Sequence, residues 1–166
     1  GFTAPALFDA LWVNPAVCRD VPLYCEYDLT KPSVAIILLG AVDMRTTGAE
    51  NFQQNLYKTV DQLIQRGVIP VITTFANHPS IMNDEALLFN TININAAQEY
   101  NLPVINLWLA TQGLPDAGIK LDDPIHMTQG DNFFHFDAGQ ESQYGVSLRN
   151  LLTLQALHEL YVNVMQ

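Results

Sequence analysis

Two side chains in the last third of the sequence have the types and spacing of an acid–base pair. Asp123 and His126 are separated by two residues in a loop that precedes a long helical pattern. A carboxylate three residues before an imidazole on a turn can bond one ring nitrogen and fix the tautomer, which leaves the other nitrogen free as a base. The alternative is an Asp that caps the turn and an ordinary surface His, because a D-x-x-H string often arises by chance.

A continuous apolar run identifies where such a pair would be positioned. Residues 34–39 are six apolar residues rich in β-branched types, a pattern typical of a strand that is buried on both faces. Gly40 ends the run, and a polar turn with Asp43 follows. Ligands bind at the carboxyl ends of strands in open parallel sheets. We therefore expect the chemistry to lie at residues 40–45 and at whatever faces them.

The order of the remaining elements predicts an α/β fold. Strands are expected at 34–39, 68–75 and 102–107, and helices at 4–12, 51–66, from Asn83 or Asp84 to about 101, and at 144–164, with a loop at 13–32. Alternating strands and helices at this spacing favour right-handed crossovers, and hence a three-layer α/β/α sandwich with a parallel sheet. Three strands are fewer than such sheets generally have.

Composition narrows the class of protein. The 166 residues are 49% apolar and 14% charged, which fits one folded domain, 1–166. A formal net charge of -10 with only seven Lys and Arg argues against nucleic acid as a partner, and no run is long enough to span a membrane. Cys18 and Cys25 are the only cysteines; we expect a short-loop disulfide in a secreted protein, the alternative being two unpaired thiols in a cytosolic one. No metal site or cofactor motif is expected.

Several segments together resemble the SGNH (GDSL-type) hydrolase family of lipase- and esterase-like enzymes. The run 34–44 resembles the strand that leads into the family's G-x-N-D block, Asp123–His126 its D-x-x-H block, and Gly1-Phe2-Thr3-Ala4 the block whose Gly donates an oxyanion-hole N–H. The stretch from Tyr144 also looks like the final helix of secreted bacterial members. The resemblance implies a flavodoxin-like sandwich, Ser-His-Asp ester hydrolysis, catalytic Asp123 and His126, and an oxyanion-hole region at Gly1, Gly40 and the position of Val42.

The sequence departs from this family in two places. It contains no counterpart of the Ser block: Ser33, Ser80, Ser142 and Ser147 lie in no such turn. Val42 stands where the family has an oxyanion Asn, and the loss of one such donor typically lowers the rate by about 10²–10³. We therefore expect an N-terminally incomplete domain without its first strand, inactive on esters by itself.

Two hypotheses about function follow from this pattern. The first is an ester hydrolase by lineage, which acts on a small ester. The second is a degenerate domain that serves as an extracellular structural, assembly or binding subunit, with a glycan as another possible ligand. Three explanations of the missing strand stay open: a fragment of a longer protein, one half of a nicked protein, or a subunit whose gap is filled by a neighbouring chain. We expect the edge of 34–39 to be covered by a strand from another polypeptide, which includes another copy of this chain, or by a rearranged segment of this chain. We expect a secreted bacterial protein.

The other histidines receive plainer interpretations. His78 precedes Pro79 in a loop at the carboxyl end of the second predicted strand; it is expected to be a loop residue, with a cleft position as the alternative. His135, among aromatic residues, is assigned to a lid or contact surface. His158 is expected on the exposed face of the last helix.

Overall fold

A three-stranded parallel sheet forms the centre of the molecule. The computed structural model describes residues 2–131 and 136–166. The strands β1 (Val34–Leu38), β2 (Ile69–Thr73) and β3 (Val104–Ile105) lie in that order across the sheet. The predicted α/β architecture is thereby confirmed, with each strand shorter than its apolar run.

Pro70 lies inside β2 without breaking the sheet, because of the direction in which its nitrogen points. The N–H of Ile69 donates to the carbonyl of Ser33, on the β1 side, whereas the N–H of Ile72 donates to Pro103, on the β3 side. Since alternate residues bond to opposite neighbours, the nitrogen of Pro70 points toward β3. β3 pairs only from Ile72 onward, so no ladder hydrogen bond is lost at Pro70.

Helices cover both faces of the sheet. The helices are α1 (Pro22–Thr30), α2 (Asp43–Thr46), α3 (Ala49–Gln65), α4 (Asn83–Glu99), α5 (Leu107–Thr111) and α6 (Gly145–Asn163). On one face α3 and α4 pack their apolar stripes against the sheet, where the rings of Phe52 and Phe89 lie 4.9 Å apart. On the other face α6 contributes Leu160, which packs with Val71 and Ile105. The three layers predicted from the sequence are present.

The α6 face is covered less completely than the α3/α4 face. Leu160 is buried, but Leu148, Leu151, Leu152 and Ala156 on the same helix are only partly buried. On the same face of the sheet, Ile36 and Leu38 of β1 remain 38% and 40% exposed. β1 is thus an edge strand with apolar side chains open to solvent.

The N-terminal region differs from the sequence prediction in two respects. The expected helix over 4–12 is two 3-10 helices, Pro5–Phe8 and Ala10–Trp12, and Ala4 occupies the first N-cap position. The expected loop over 13–32 contains α1, which begins at Pro22. Proline is typical of loops, yet the first turn of a helix tolerates it because an N–H at that position would have no intrahelical partner.

The predicted disulfide is present and joins α1 to the loop that precedes it. Cys18 and Cys25 are bonded, with their Cα atoms 5.8 Å apart. Cys25 is buried, and Leu23 on the same helix belongs to the main core. The disulfide therefore fixes an otherwise irregular loop to a helix that packs against the domain.

Candidate functional site

The turn after β1 is organised by one buried carboxylate. Asp43 is fully buried; its Oδ1 accepts the N–H of Ala4 at 2.8 Å and its Oδ2 accepts the N–H of Gly40 at 3.1 Å. Gly40 has φ +116°, and a Cβ atom there would lie 2.6 Å from the ring of Phe75. Asp43 thus ties the N-terminal segment to the carboxyl end of β1, and only glycine fits at position 40.

Burial and hydrogen bonding act in opposite directions on this carboxylate. Desolvation is the largest effect and raises the pKa of Asp43 above its ordinary value, while the N–H groups of Ala4 and Gly40 lower it. The raised pKa means that the folded protein holds a proton at Asp43 more tightly than the unfolded chain does. Through its two backbone hydrogen bonds, Asp43 acts as a brace between the N-terminal segment and the end of β1.

Two asparagines on α4 fix the neighbouring backbone. The side chain of Asn90 is buried and bonds both the N–H and the carbonyl of Phe75, each at 2.9 Å, just after β2. The amide of Asn93, one turn later, donates to the carbonyl of Leu39 at 3.3 Å. The sequence analysis did not single out these residues, although their spacing of three places them on one face of the helix.

Asp123 and His126 are in direct contact. Nδ1 of His126 lies 2.7 Å from Oδ2 of Asp123, and the backbone N–H of His126 donates to the carbonyl of Asp123 at 2.9 Å. The side chain of His126 is 64% exposed and that of Asp123 is 45% exposed, so the pair contributes little to stability, about 0–1 kcal/mol. Its effect is to orient the imidazole: with Nδ1–H donated to Asp123, Nε2 is left as an acceptor.

A short two-stranded bridge holds this turn against α6. Ile119 and Met127 form an antiparallel bridge, and the N–H of Lys120 donates to the carbonyl of His126 at 3.0 Å. Thr128 in turn accepts the N–H groups of Gly145 and Val146 at the beginning of α6, each at 3.0 Å. The loop with the imidazole is therefore attached to the sheet end and to the last helix.

His126 lines a cleft of about 380 Å³ at the carboxyl end of the sheet. Its walls are mainly apolar and include Leu38 of β1, Phe75 after β2 and Leu107 of α5. Lys120 and Arg149 add positive charge to the lining. The cleft therefore offers an apolar surface, a base and two cations in one space of the size usual for small ligands.

The residues expected around an oxyanion are placed as follows. Gly1 lies outside the described residues. The N–H of Gly40 is engaged by Asp43, so an oxyanion would compete with that carboxylate. Val42 is partly buried and precedes α2, while its neighbour Ala41 contributes to the cleft wall.

His78 lies in a second cluster of polar side chains. Its Nδ1 accepts the backbone N–H of Ser80 at 3.2 Å and lies 2.7 Å from Ser80 Oγ, while its Nε2 is 3.7 Å from Oδ1 of Asp116. Because Nδ1 accepts a backbone proton, the neutral ring carries its proton on Nε2. His78 is not among the residues that line the cleft of His126. The cluster closes the turn that precedes α4.

The last polar candidates add no ligand set. His158 is exposed on α6, as expected, and His135 lies outside the described residues. Within residues 2–131 and 136–166, no group of three or more His, Cys, Asp or Glu could hold a metal ion. No helix in the same residues is long and apolar enough to cross a bilayer.

The sequence analysis missed Lys120 and Arg149. Arg149 is partly buried, and desolvation lowers the pKa of its guanidinium. Its position on α6 was noted only as part of the final helix, and Lys120 is an isolated charge in a loop. Nothing in the sequence placed the two near His126, because the bridge between Ile119 and Met127 positions Lys120 and the bonds of Thr128 to the beginning of α6 position the helix of Arg149.

The fold and the site together define an α/β sandwich with a His–carboxylate pair at the carboxyl end of its parallel sheet. No protein-family model and no curated protein matches the chain. It is similar in structure to the lipase/acylhydrolase from Enterococcus faecalis, with a TM-score of 0.57, 19% identity, and coverage of 83% of this chain and 68% of that one. It is also similar to protein YxiM from Bacillus subtilis, with a TM-score of 0.62 and 12% identity.

These similarities concern the fold. The match to YxiM covers 98% of this chain but 44% of the YxiM chain, so the chain spans less than half of that protein. They confirm the fold that the resemblance to SGNH hydrolases implied, a parallel sheet between helical layers.

Proposed function

We propose that this chain is the base-carrying part of an SGNH-type acyl-ester hydrolase. His126 is the general base, Asp123 orients it, and the adjoining cleft receives the ester. The observation that carries this proposal is the 2.7 Å contact between His126 Nδ1 and Asp123 Oδ2, made by a histidine that lines the cleft. The fold shared with a lipase/acylhydrolase is consistent with this assignment.

The proposed reaction needs a nucleophile from outside this sequence. The four serines all lie in the described part of the chain, and none of them hydrogen-bonds to His126. Ser80 bonds His78, Ser142 bonds the carbonyl of Gly139, Ser147 is fully buried, and Ser33 lies before β1. A serine supplied by a further segment would attack the acyl carbon and give its proton to Nε2 of His126.

The tautomers of the histidines test the proposal directly. In ¹⁵N NMR spectra of the neutral rings, His126 should carry its proton on Nδ1 and His78 on Nε2. The substitution Asp123→Asn should shift His126 toward the Nε2–H tautomer, with His78 and the exposed His158 unchanged as internal controls. A wild-type His126 that carries its proton on Nε2 would refute the assignment of His126 as base, because the nitrogen that is not bonded to Asp123 would then be a donor.

A second candidate function, an assembly subunit completed by strand addition, rests on the free edge of β1. Ser33 bonds to β2, and so does every second residue after it in β1. The residues between them, Val34, Ile36 and Leu38, therefore turn their N–H and C=O groups to the open edge. A groove of about 240 Å³ lies at this edge, and its lining is mainly apolar and includes Leu7, Leu23, Tyr27, Leu63 and residues 35–39, with Glu26 as its one charged residue among those described. An extended apolar segment from another copy of this chain would fill it.

The substitution Ile36→Pro tests this second function. It removes an N–H that faces the free edge and leaves the bonds between β1 and β2 in place. Light scattering across a dilution series should show association of the wild-type chain and of Ile36→Val, which keeps the N–H, but not of Ile36→Pro. A wild-type chain that stays monomeric at all concentrations, with the edge of β1 open, would rule out self-assembly.

A further inference from the structure

The cleft beside His126 holds a concentration of positive charge that the overall composition opposes. The chain has a net charge of -10 and only seven Lys and Arg, yet two of the seven, Lys120 and Arg149, line this one cleft. No Asp or Glu is among the described residues of the lining. The local field in the cleft therefore favours an anion, although the protein as a whole is acidic.

Among the described residues, no carboxylate forms an ion pair with Arg149. Its Nε and Nη2 contact the side-chain oxygen of Asn150 at 3.4 and 3.1 Å, which is a neutral acceptor. In the described parts of the chain, 2–131 and 136–166, no ion pair involves Arg149 or Lys120. Desolvation alone lowers the pKa of Arg149. A partly buried cation without a counterion is unfavourable, and an anionic ligand would relieve that cost.

The position of Lys120 relative to His126 is fixed by backbone pairing. The N–H of Lys120 donates to the carbonyl of His126, and the adjacent bridge between Ile119 and Met127 holds the two short segments together. The bonds from Thr128 to the first residues of α6 attach the same loop to the helix that carries Arg149. The cations and the base thus lie on segments held together by backbone hydrogen bonds.

The rest of the lining is apolar. Leu38, Phe75, Leu107, Ile119 and Met127 supply aliphatic and aromatic surface around the charged groups. A fully hydrated small anion would gain nothing from these walls. A ligand with an aliphatic chain and a negative end matches both parts of the lining, since burial of the chain contributes about 0.8 kcal/mol per CH₂.

We propose that this cleft binds an amphiphilic carboxylate, with the aliphatic chain on the apolar walls and the carboxylate at Arg149 and Lys120. The inference rests on the proposed function where it names a substrate class. That class is esters that carry a free carboxylate on an aliphatic chain. The same chemistry is present in a medium-chain fatty acid, the acid product of ester hydrolysis. Monomethyl suberate represents the anionic ester, and octanoate represents the free acid.

Binding to the intact chain tests this inference without any need for turnover. Isothermal titration should show that octanoate or monomethyl suberate binds at least about tenfold more tightly than octanamide, which is neutral and of the same length, and than octylammonium. Tight binding of octanoate identifies the free acid as a ligand, and tight binding of monomethyl suberate alone identifies the anionic ester. Equal affinity for octanoate, monomethyl suberate and octanamide, or no binding of any of them, would overturn the proposal.

Substitutions locate the carboxylate in the cleft. Arg149→Gln should lower the affinity for the carboxylate ligand about tenfold and leave octanamide binding unchanged, while Arg149→Lys should keep the preference for the anion. Lys120→Gln should have a smaller effect, and Arg19→Gln, far along the sequence in the disulfide loop, should have none. Unchanged carboxylate affinity in a folded Arg149→Gln variant would refute the site. The tautomer of His126 is an independent readout, so failure of the anion site and failure of the proposed base are distinguishable.

Discussion

The substitution Asp43→Asn should destabilise the fold because it reverses the polarity of one of two buried hydrogen bonds. The two backbone groups that bond the carboxylate, the N–H of Ala4 and the N–H of Gly40, are both buried donors, and the side chain of Thr47 bonds to it as well. An asparagine side chain can accept one of them, but its NH₂ group must then face the other. One buried donor is left without an acceptor, which costs about 1–3 kcal/mol.

The magnitude can be bracketed by two further variants. Asp43→Ala leaves both donors without a partner, so its loss of stability should be about twice as large, roughly 2–6 kcal/mol. Asp9→Asn is the matched control, because Asp9 is exposed and accepts only from the N–H of Leu11. Its effect should stay within about 0.5 kcal/mol, as is usual for surface positions. Urea denaturation followed by circular dichroism gives the free energy of unfolding for each variant.

The pH dependence gives a second, independent measure. The pKa of Asp43 is raised in the folded state, so protonation of Asp43 favours folding. The stability that this protonation contributes is fully present below the unfolded pKa and is lost as the pH rises through the folded pKa. The stability difference between wild type and Asp43→Asn should therefore be largest at the lowest pH and should shrink as the pH rises through the folded pKa. A difference that grows with pH would contradict the raised pKa of Asp43, whereas an Asp43→Asn variant as stable as Asp9→Asn would refute its role as a buried brace.

Three further predictions concern the turn glycine, the disulfide and catalysis. Gly40→Ala should lower the free energy of unfolding by about 2–4 kcal/mol, because it adds backbone strain and a close contact with Phe75. The control Gly48→Ala, at φ +80° with no atom within 4 Å of the added Cβ, should show strain alone, about 1 kcal/mol. Equal losses in urea titrations would contradict the packing argument. Replacement of Cys18 and Cys25 by Ser should reduce stability by roughly 2.5 kcal/mol, and alkylation of the folded protein without reductant should modify neither cysteine. The chain alone should not hydrolyse short p-nitrophenyl esters above background; turnover that is lost in His126→Ala and kept in Ser80→Ala would show that the chain contains a competent nucleophile for His126.

The apolar run of the first strand and the helix after it could be predicted from the sequence because both patterns are local. The run at 34–39 is too β-branched and too short for a helix, and it forms β1; the helix expected over 51–66 ends within one residue of the end of α3 and begins two residues after its start. Cys18 and Cys25 are close along the chain, and the disulfide predicted between them is present. The contact between Asp123 and His126 is also local, since a three-residue turn determines it.

Relationships between distant residues were decided only by the tertiary structure. Asp43 bonds Ala4 across 39 residues, and Lys120, His126 and Arg149 share one cleft because a bridge and the beginning of α6 bring three segments together. α1 was missed for a related reason: Pro22 signals a turn by itself, and only the packing of Leu23 and Cys25 shows that it begins a helix. Sequence patterns report which residues can be buried or can react, whereas the charges that meet in a cleft depend on long-range packing that no local pattern encodes.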